Sequence, residues 1–118
     1  EDIVATKNVF LDDAEVVVVA YGISVRAARH AVREARVRGL KAGLVKLDTV
    51  WPFPEELIRS LAPNVKAMIM PEINGGQMVR ELERCACGAC RVTLVAHYGG
   101  AIIPPGKIFA AIEEAIKG

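Results

Sequence analysis

Three cysteines lie within six residues of one another, which makes them the first candidates for chemistry in this sequence: Cys85, Cys87 and Cys90. Zinc sites and iron–sulfur clusters usually take four ligands, whereas the chain has no fourth cysteine and its nearest histidine, His97, lies beyond a predicted strand. Cys87 and Cys90 have the spacing of a redox Cys-x-x-Cys pair, but active dithiols of that type begin a helix and these follow one. We therefore expect no metal site, and we interpret the cysteines as small packing residues in a helix-to-strand turn.

A turn with one glycine, Tyr21-Gly22-Ile23-Ser24, follows an apolar run. It occupies the position at which doubly wound proteins bind phosphate. The dinucleotide fingerprint needs three glycines and the P-loop needs a Gly-Lys-Ser/Thr sequence, and neither is present. A strand-to-helix turn with Ser24 as the N-cap is the simpler interpretation, and Gly22 and Ser24 remain candidates for an anion-binding turn.

A second glycine-containing loop follows a later predicted strand. Two adjacent glycines relax the limits on the backbone, and the Asn and Gln side chains beside them offer amide donors and acceptors near a helix N-terminus. The loop is predicted to contact another subunit or to close a site, with anion binding and a plain turn as the alternatives. The residues concerned are Glu72, Asn74, Gly75, Gly76 and Gln77.

The remaining polar residues do not form a recognisable catalytic set. His30 and His97 have no Ser, Cys or acidic partner at a familiar spacing, so no catalytic triad can be built. Asp48 and Glu72 follow predicted parallel strands, at the edge where α/β proteins place ligand groups, although a single acid there more often caps a helix. We expect no catalytic or cofactor-binding residues in this chain alone.

Arginines recur at helical spacing at Arg26, Arg29, Arg33 and Arg36, with only Glu34 to offset them in that stretch. A solvated helix face is the default interpretation, and docking of an acidic partner protein is the alternative. Nucleic-acid binding is disfavoured because no aromatic platform accompanies the charges.

The apolar pattern predicts alternating strands and helices. Glu15–Tyr21 is a continuous apolar run, typical of a strand buried on both faces. Asp12 and Asp13 favour a tight turn, so the weaker strand at Val4–Leu11 is predicted to lie antiparallel beside it. The other predicted strands are Ala42–Leu47, Val65–Met70 and Arg91–Ala96, and helices are predicted to follow Ser24, Pro54, Asn74-Gly75-Gly76 and Pro104. This alternation predicts a three-layer α/β/α sandwich with a mostly parallel sheet, whose strand order remains open.

The composition excludes several classes of protein. The chain has 118 residues, 53% of them hydrophobic, and a net charge of +1, which predicts one folded domain over residues 1–118 with no nucleic-acid or membrane partner. No apolar stretch approaches the ~18–20 residues that span a bilayer. Neither a secretory signal nor an initiator Met is visible, so we expect a cytoplasmic domain that begins inside a longer polypeptide.

Four stretches together resemble one family. They are the run from Ala14 to Gly22, Leu47-Asp48-Thr49-Val50-Trp51-Pro52-Phe53-Pro54-Glu55-Glu56, the stretch from Pro71 to Met78, and Gly99-Gly100-Ala101-Ile102-Ile103-Pro104-Pro105. In this order and spacing they are similar to the C-terminal domain of the α chain of 2-oxoacid:ferredoxin oxidoreductases. The resemblance implies a transketolase C-terminal-like fold, with a five-stranded sheet whose first strand is antiparallel.

The resemblance also implies a reaction. The whole enzyme would convert a 2-oxoacid, coenzyme A and oxidised ferredoxin into acyl-CoA, carbon dioxide and reduced ferredoxin, using thiamine diphosphate, Mg²⁺ and 4Fe–4S clusters. The segments that hold these groups in the family belong to the preceding domain or to a partner β chain, so this domain is expected to be an inactive scaffold by itself. The alternatives are the C-terminal domain of another thiamine enzyme (a dehydrogenase β chain or a transketolase) and a non-catalytic protein-binding module.

Overall fold

Five strands and four helices alternate along the part of the chain that the computed structural model describes, which comprises residues 6–11, 13–22, 24–47, 55–72, 77–96 and 103–117. The predicted order of these elements is confirmed. The largest shift among the later strands is at β4, which begins two residues after the predicted start because Val65 and Lys66 complete the preceding turn. In chain order the elements are β1 Thr6–Val9, β2 Val16–Tyr21, α1 Ser24–Val37, β3 Ala42–Leu47, α2 Glu55–Leu61, a 3-10 turn Ala62–Asn64, β4 Ala67–Glu72, α3 Gln77–Ala86, β5 Arg91–Ala96 and α4 Pro105–Lys117.

The strands form one sheet in the order β1-β3-β2-β4-β5. Strands β3, β2, β4 and β5 are parallel to one another, and β1 is antiparallel to β3. The mostly parallel five-stranded sheet with an antiparallel first strand is therefore confirmed.

Both faces of the sheet are covered by helices. Val16 and Val18 of β2 belong to a core cluster shared with α1 and α4. Val17 and Val19 belong to a second cluster, which is shared with α2 and α3. The three-layer α/β/α sandwich is thus confirmed. None of the helices in the described ranges has the length and apolar character needed to cross a membrane.

The predicted pairing of the first two strands is wrong. Strand β1 pairs with β3, with Thr6 opposite Leu47 and Val9 opposite Leu44, rather than forming a hairpin with β2. The chain leaving β1 passes over the beginning of β3 to reach β2. Asp13 does lie in a turn between β1 and β2, as predicted. However, β3 lies between these two strands in the sheet, so the presence of a turn did not identify the strand that pairs with β1.

The crossing depends on the absence of a side chain at Gly43 in β3. A Cβ atom at Gly43 would lie 2.8 Å from the carbonyl oxygen of Phe10, 2.9 Å from Cδ2 of Leu11 and 3.1 Å from Cβ of Ala14. The first two distances are shorter than real Cβ contacts, and the carbonyl belongs to backbone that cannot rotate away. Glycine is therefore the residue that lets the crossing pack against β3.

Arg36 of α1 holds the crossing in place. Its guanidinium donates hydrogen bonds to the Phe10 carbonyl at 3.0 Å, to the Ala42 carbonyl at 2.9 Å and to both carboxylate oxygens of Asp13 at 2.7 and 3.2 Å. The guanidinium also lies 5.0 Å from the ring centroid of Phe10. Since Arg36 bridges the crossing, α1 and β3, we name this group of contacts the Arg36 bridge.

Replacing Gly43 by alanine is expected to destabilise the domain by about 1–3 kcal/mol, the usual range for overpacking a close contact. Gly106 provides the matched control, because it lies in the first turn of α4 and an added Cβ would meet nothing within 4 Å. Gly106→Ala should leave stability unchanged or raise it by up to about 1 kcal/mol. Urea unfolding followed by circular dichroism measures both changes, and equal stability of the two variants would contradict the packing argument.

Asp13→Asn is expected to weaken the pH dependence of stability at the acid end. The hydrogen bond from Arg36 holds the pKa of the Asp13 carboxyl below its ordinary value, so the ionised form stabilises the folded state. This contribution is present above the unfolded-state pKa of about 3.9 and is lost as the pH falls through the lower folded-state pKa. Thermal unfolding between pH 7 and pH 2 should show a smaller loss for Asp13→Asn than for the unmodified chain. Glu113→Gln, which removes only a pair within α4, is the control.

Candidate functional site

The carboxyl ends of the four parallel strands lie along one edge of the sheet. Tyr21 pairs with Leu47 at the ends of β2 and β3, and Glu72 pairs with Ala96 at the ends of β4 and β5. The glycine-containing turn and loop predicted as sites both leave the sheet at this edge, which we call the carboxyl edge. Open α/β sheets bind ligands at this edge.

The direction of winding reverses between β2 and β4. The chain passes from β2 through α1 to β3 on one side of β2, and then crosses through α2 to β4 on the other side. A reversal of this kind leaves a crevice outside the strand ends, because the two connecting loops depart in opposite directions. The turn at Gly22 and Ser24 and the strand end at Glu72 therefore follow the two neighbouring strands between which the winding reverses.

The sheet itself parts at this crevice. Strands β2 and β4 pair only from Val16–Val18 against Ala67–Ile69, whereas β2 with β3 and β4 with β5 pair over six residues each. The shortened ladder agrees with Pro71, which has no amide hydrogen to donate. Within the residues described, the β2–β4 ladder therefore ends at Val18 and Ile69. Sequence reasoning missed this feature, because the strand was predicted to end at Met70, before Pro71.

The turn after β2 adopts the strand-to-helix geometry expected of it. Gly22 has φ +63°, a left-handed conformation that favours glycine, and its carbonyl accepts a hydrogen bond from the Val25 amide at 3.2 Å. Ser24 begins α1 and is only 5% exposed. Ser24 therefore offers little accessible surface to a ligand, and the anion-binding role of Gly22 and Ser24 remains a prediction.

The second predicted loop is described only at its two ends. The backbone of Glu72 ends β4 and the backbone of Gln77 begins α3. Asn74, Gly75 and Gly76 lie outside the described residues, as do Asp48 and His97. The interface or site-closing role of the loop stays a prediction, and its place in the fold is given by β4 and α3.

Helices α2 and α3, which follow β3 and β4, are joined by charged side chains. Arg84 of α3 pairs with Glu81 at 2.8 Å and with Glu55 of α2 at 3.3 Å, and Glu55 also pairs with Arg59. The hydrogen bonds that Arg84 donates to Glu81 first, and then to Glu55, raise the pKa of Arg84. These side chains are largely exposed, so their ion pairs add little to the free energy of unfolding. Their main effect is to orient α2 and α3 relative to each other.

The three cysteines occupy different environments around the end of α3. Cys85 is fully buried in the core cluster between the sheet and α2 and α3, and Cys90 packs against the same cluster. Burial raises the pKa of both thiols. Cys87 is exposed and adopts φ 53° in the turn, where its amide donates to the Glu83 carbonyl at 3.1 Å. Cys85 and Cys90 thus have the packing role expected of them.

The described residues do not fit a metal or a cluster. Within those ranges, no group of three or more His, Cys, Asp or Glu side chains lies close enough together to hold a metal ion. No step involving Mg²⁺, an iron–sulfur cluster or thiamine diphosphate is therefore assigned to these residues.

The predicted arginine face divides into two parts. Arg36 forms the Arg36 bridge, and Arg38 pairs with Glu34 at 2.9 Å and lies over the ring of Phe109. Arg26, Arg29, His30 and Arg33 face outward on α1, where Arg29 is half-buried and the other three are exposed. The sequence identified the helix face but not the structural role of Arg36. Two of the partners of Arg36, Phe10 and Asp13, lie more than 20 residues away along the chain, so no local pattern indicates these contacts.

Cys87 is expected to be the fast-reacting thiol of the native chain. A thiol-specific disulfide reagent at pH 8 should modify Cys87 first, because Cys85 and Cys90 are shielded and their raised pKa values leave less thiolate. All three should react in denaturant, and Cys87→Ser should remove the fast phase. Modification of Cys85 at the rate of Cys87, measured by peptide mapping, would contradict the packing described.

Comparison with known proteins gives a family for this arrangement. The family model described as pyruvate:ferredoxin oxidoreductase core domain II matches residues 14–108. The chain is 38% identical over 112 residues to the 2-oxoglutarate synthase subunit KorA of Methanothermobacter marburgensis, covering 95% of this chain and 30% of that protein. It is 43% identical over 114 residues to the ketoisovalerate oxidoreductase subunit VorB of Methanothermobacter thermautotrophicus, covering 97% of this chain and 32% of that protein. The chain thus spans about a third of the length of these relatives.

A solved structure has the same fold. The 2-oxoglutarate:ferredoxin oxidoreductase from Magnetococcus marinus, with 2-oxoglutarate, coenzyme A and succinyl-CoA bound, aligns with a TM-score of 0.81 at 20% identity, over 95% of this chain and 20% of that one. At this identity the likeness supports the fold alone, while the family model and the relatives support the family. The chain belongs to the pyruvate:ferredoxin oxidoreductase core domain II family.

Proposed function

We propose that this domain serves a cytoplasmic thiamine-diphosphate-dependent enzyme that oxidises a 2-oxoacid with coenzyme A and ferredoxin. The products are an acyl-CoA, carbon dioxide and reduced ferredoxin. The observation that carries the proposal is the family match over residues 14–108, together with relatives named as subunits of 2-oxoglutarate synthase and ketoisovalerate oxidoreductase. The domain is proposed to be one part of a longer α chain that assembles with a β chain.

The proposed role of the domain within that enzyme is structural. In the whole enzyme, bound thiamine diphosphate would supply the chemistry of 2-oxoacid decarboxylation, and 4Fe–4S clusters would supply electron transfer to ferredoxin. The described residues lack a ligand set for a metal or a cluster, so these groups, with Mg²⁺, are assigned to the rest of the assembly. The domain contributes a rigid sheet with a crevice at its carboxyl edge.

The crevice between β2 and β4 is the part of the domain proposed to face the assembled site. Its sides are proposed to be the turn at Gly22 and Ser24 and the end of β4 at Glu72. The end of the β2–β4 ladder at Val18 and Ile69 supports this assignment, because open α/β sheets bind ligands outside the carboxyl ends of their strands where the direction of winding reverses. We propose that the amide side chains of Asn74 and Gln77 contact the neighbouring subunit or the rest of the α chain there.

Removing both amide side chains should impair the assembled enzyme without unfolding it. Asn74→Ala/Gln77→Ala, introduced into the full α chain with its β chain, is expected to lower kcat/KM for the 2-oxoacid by about thirtyfold, since each of the two lost hydrogen bonds weakens the contact by about 1 kcal/mol. Asn64→Ala is the matched control, because Asn64 is an exposed amide in the turn that precedes β4, at the opposite edge of the sheet. If the double variant shows unchanged kinetics and unchanged subunit assembly, the proposed role of Asn74 and Gln77 is wrong.

The 118-residue chain alone is expected to be inactive. Isothermal titration should detect no micromolar binding of thiamine diphosphate or coenzyme A, and no 2-oxoacid should be oxidised with methyl viologen as the electron acceptor. The same assay on the α chain assembled with its β chain should show coenzyme A-dependent reduction of the dye. Micromolar binding of thiamine diphosphate by the isolated domain, or turnover by it, would refute the scaffold role.

A further inference from the structure

The outer surface of α1 carries positive charge that the domain itself does not use. Arg26, Arg29 and Arg33 lie on this face with His30 between them. None of the three arginines has a carboxylate partner among the described residues. Elsewhere in the described chain, Arg36, Arg38, Arg59 and Arg84 each pair with a carboxylate. We call the residues Arg26, Arg29, His30 and Arg33 the basic face.

The arrangement of these charges disfavours the helix that carries them. No acidic residue lies in the first turn of α1, and Arg26 places a cation there, at the positive end of the helix dipole. Arg26 with Arg29, and Arg29 with Arg33, are like-charged neighbours at spacings of three and four residues, which repel each other. Helix α2 has the opposite arrangement, with Glu55 and Glu56 in its first turn and Arg59 in its last.

The fold does not require these three charges. The inner face of α1 is buried through the small apolar residues Ala27, Ala28, Ala31 and Ala35 with Val25 and Val32, and these make the contacts with the sheet and α4. The structural charge of the helix is Arg36. Because the basic face weakens α1 and its arginine side chains make no hydrogen bond or ion pair among the described residues, its charges are best explained by a binding partner.

The chemistry of the basic face fits an acidic protein surface that binds and dissociates. Arg26 and Arg33 are seven residues apart in one helix, which places them about 10 Å apart along its axis, a distance that suits several carboxylates on a folded protein. Arginine forks bind carboxylates in a bidentate manner. A permanent subunit interface would bury a more apolar patch, whereas a charged exposed face is typical of steered, short-lived complexes such as those of electron-transfer proteins.

We infer that the basic face of α1 is a docking surface for the acidic face of the protein electron acceptor, which under the proposed function is ferredoxin. The inference rests on the proposed function for the identity of the acceptor and on the unpaired arginines for the location. The charges would raise the rate of encounter rather than take part in the chemistry. Their effect should therefore appear in the KM for ferredoxin and in its dependence on salt.

The test uses the assembled enzyme with ferredoxin from the same organism. Arg26→Glu/Arg33→Glu is expected to raise the KM for ferredoxin about tenfold, to flatten its increase with salt, and to leave kcat and the rate with methyl viologen unchanged. The Tm should stay the same or rise, because the variant places an acid in the first turn of α1 and removes like-charge repulsion. A stable variant with a weakened partner separates docking from a structural role.

The matched control changes the net charge equally at another place. Arg80 of α3 and Arg91 of β5 are exposed, and Arg80→Glu/Arg91→Glu should leave the KM for ferredoxin within about twofold of the unmodified value. An equal rise in the control, an unchanged KM in the Arg26→Glu/Arg33→Glu variant, or dissociation of the subunits in that variant would overturn the inference. Failure of the proposed function gives a different result, since the unmodified assembly would then reduce neither methyl viologen nor ferredoxin with any 2-oxoacid.

Discussion

Strand β2 has no accessible surface from Val16 to Ala20. The rest of the domain is arranged so that both faces of this strand are shielded from water. A fully buried valine contributes about 1.5–3 kcal/mol, so uncovering the two valines on either face would remove an amount comparable with the net stability of a domain, about 5–15 kcal/mol. Two helical layers are therefore required. Right-handed connections through those layers make the neighbouring strands parallel and bring their carboxyl ends to one edge.

The same constraint explains why the functional residues lie away from the core. With both faces of the sheet occupied, the strand ends are the surfaces that remain for binding. The winding reverses between β2 and β4, and their ladder ends at Val18 and Ile69, which is the position at which open α/β sheets bind ligands. The opposite edge is closed by backbone hydrogen bonds, such as the one from the Lys66 amide to the Glu15 carbonyl at 2.7 Å, which hold the strand beginnings together.

Charged residues perform three separate tasks in this domain. Arg36 satisfies carbonyl and carboxylate oxygens where the chain crosses β3, and Arg84 joins α2 to α3 through Glu55. The arginines of the basic face contact no carboxylate in the described part of the chain and point away from the core. One residue type therefore serves packing, helix orientation and, as inferred here, recognition, and only the partners of each side chain distinguish these tasks.

The sequence by itself determined the elements, because their signals are local. The apolar run at Glu15–Tyr21, the alanine-rich stripe after Ser24 and the strands at Ala42–Leu47 and Arg91–Ala96 are set by periodicity and by nearby turn residues, and the structure confirms them. The resemblance to the family added the antiparallel first strand. The candidate turn at Gly22 and the loop after Glu72 were also visible, as glycines that follow apolar runs.

The tertiary structure alone decided which elements meet. Pairing of β1 with β3 rather than β2 depends on the close approach of Phe10 to Gly43 and on the bond from Arg36 to Asp13, 23 residues apart. The β2–β4 ladder ends at Val18 and Ile69, and Pro71 beyond that point has no amide hydrogen to donate to a neighbouring strand. Contacts of this kind lower the free energy only after distant segments have been brought together, and no local pattern of residue types records them.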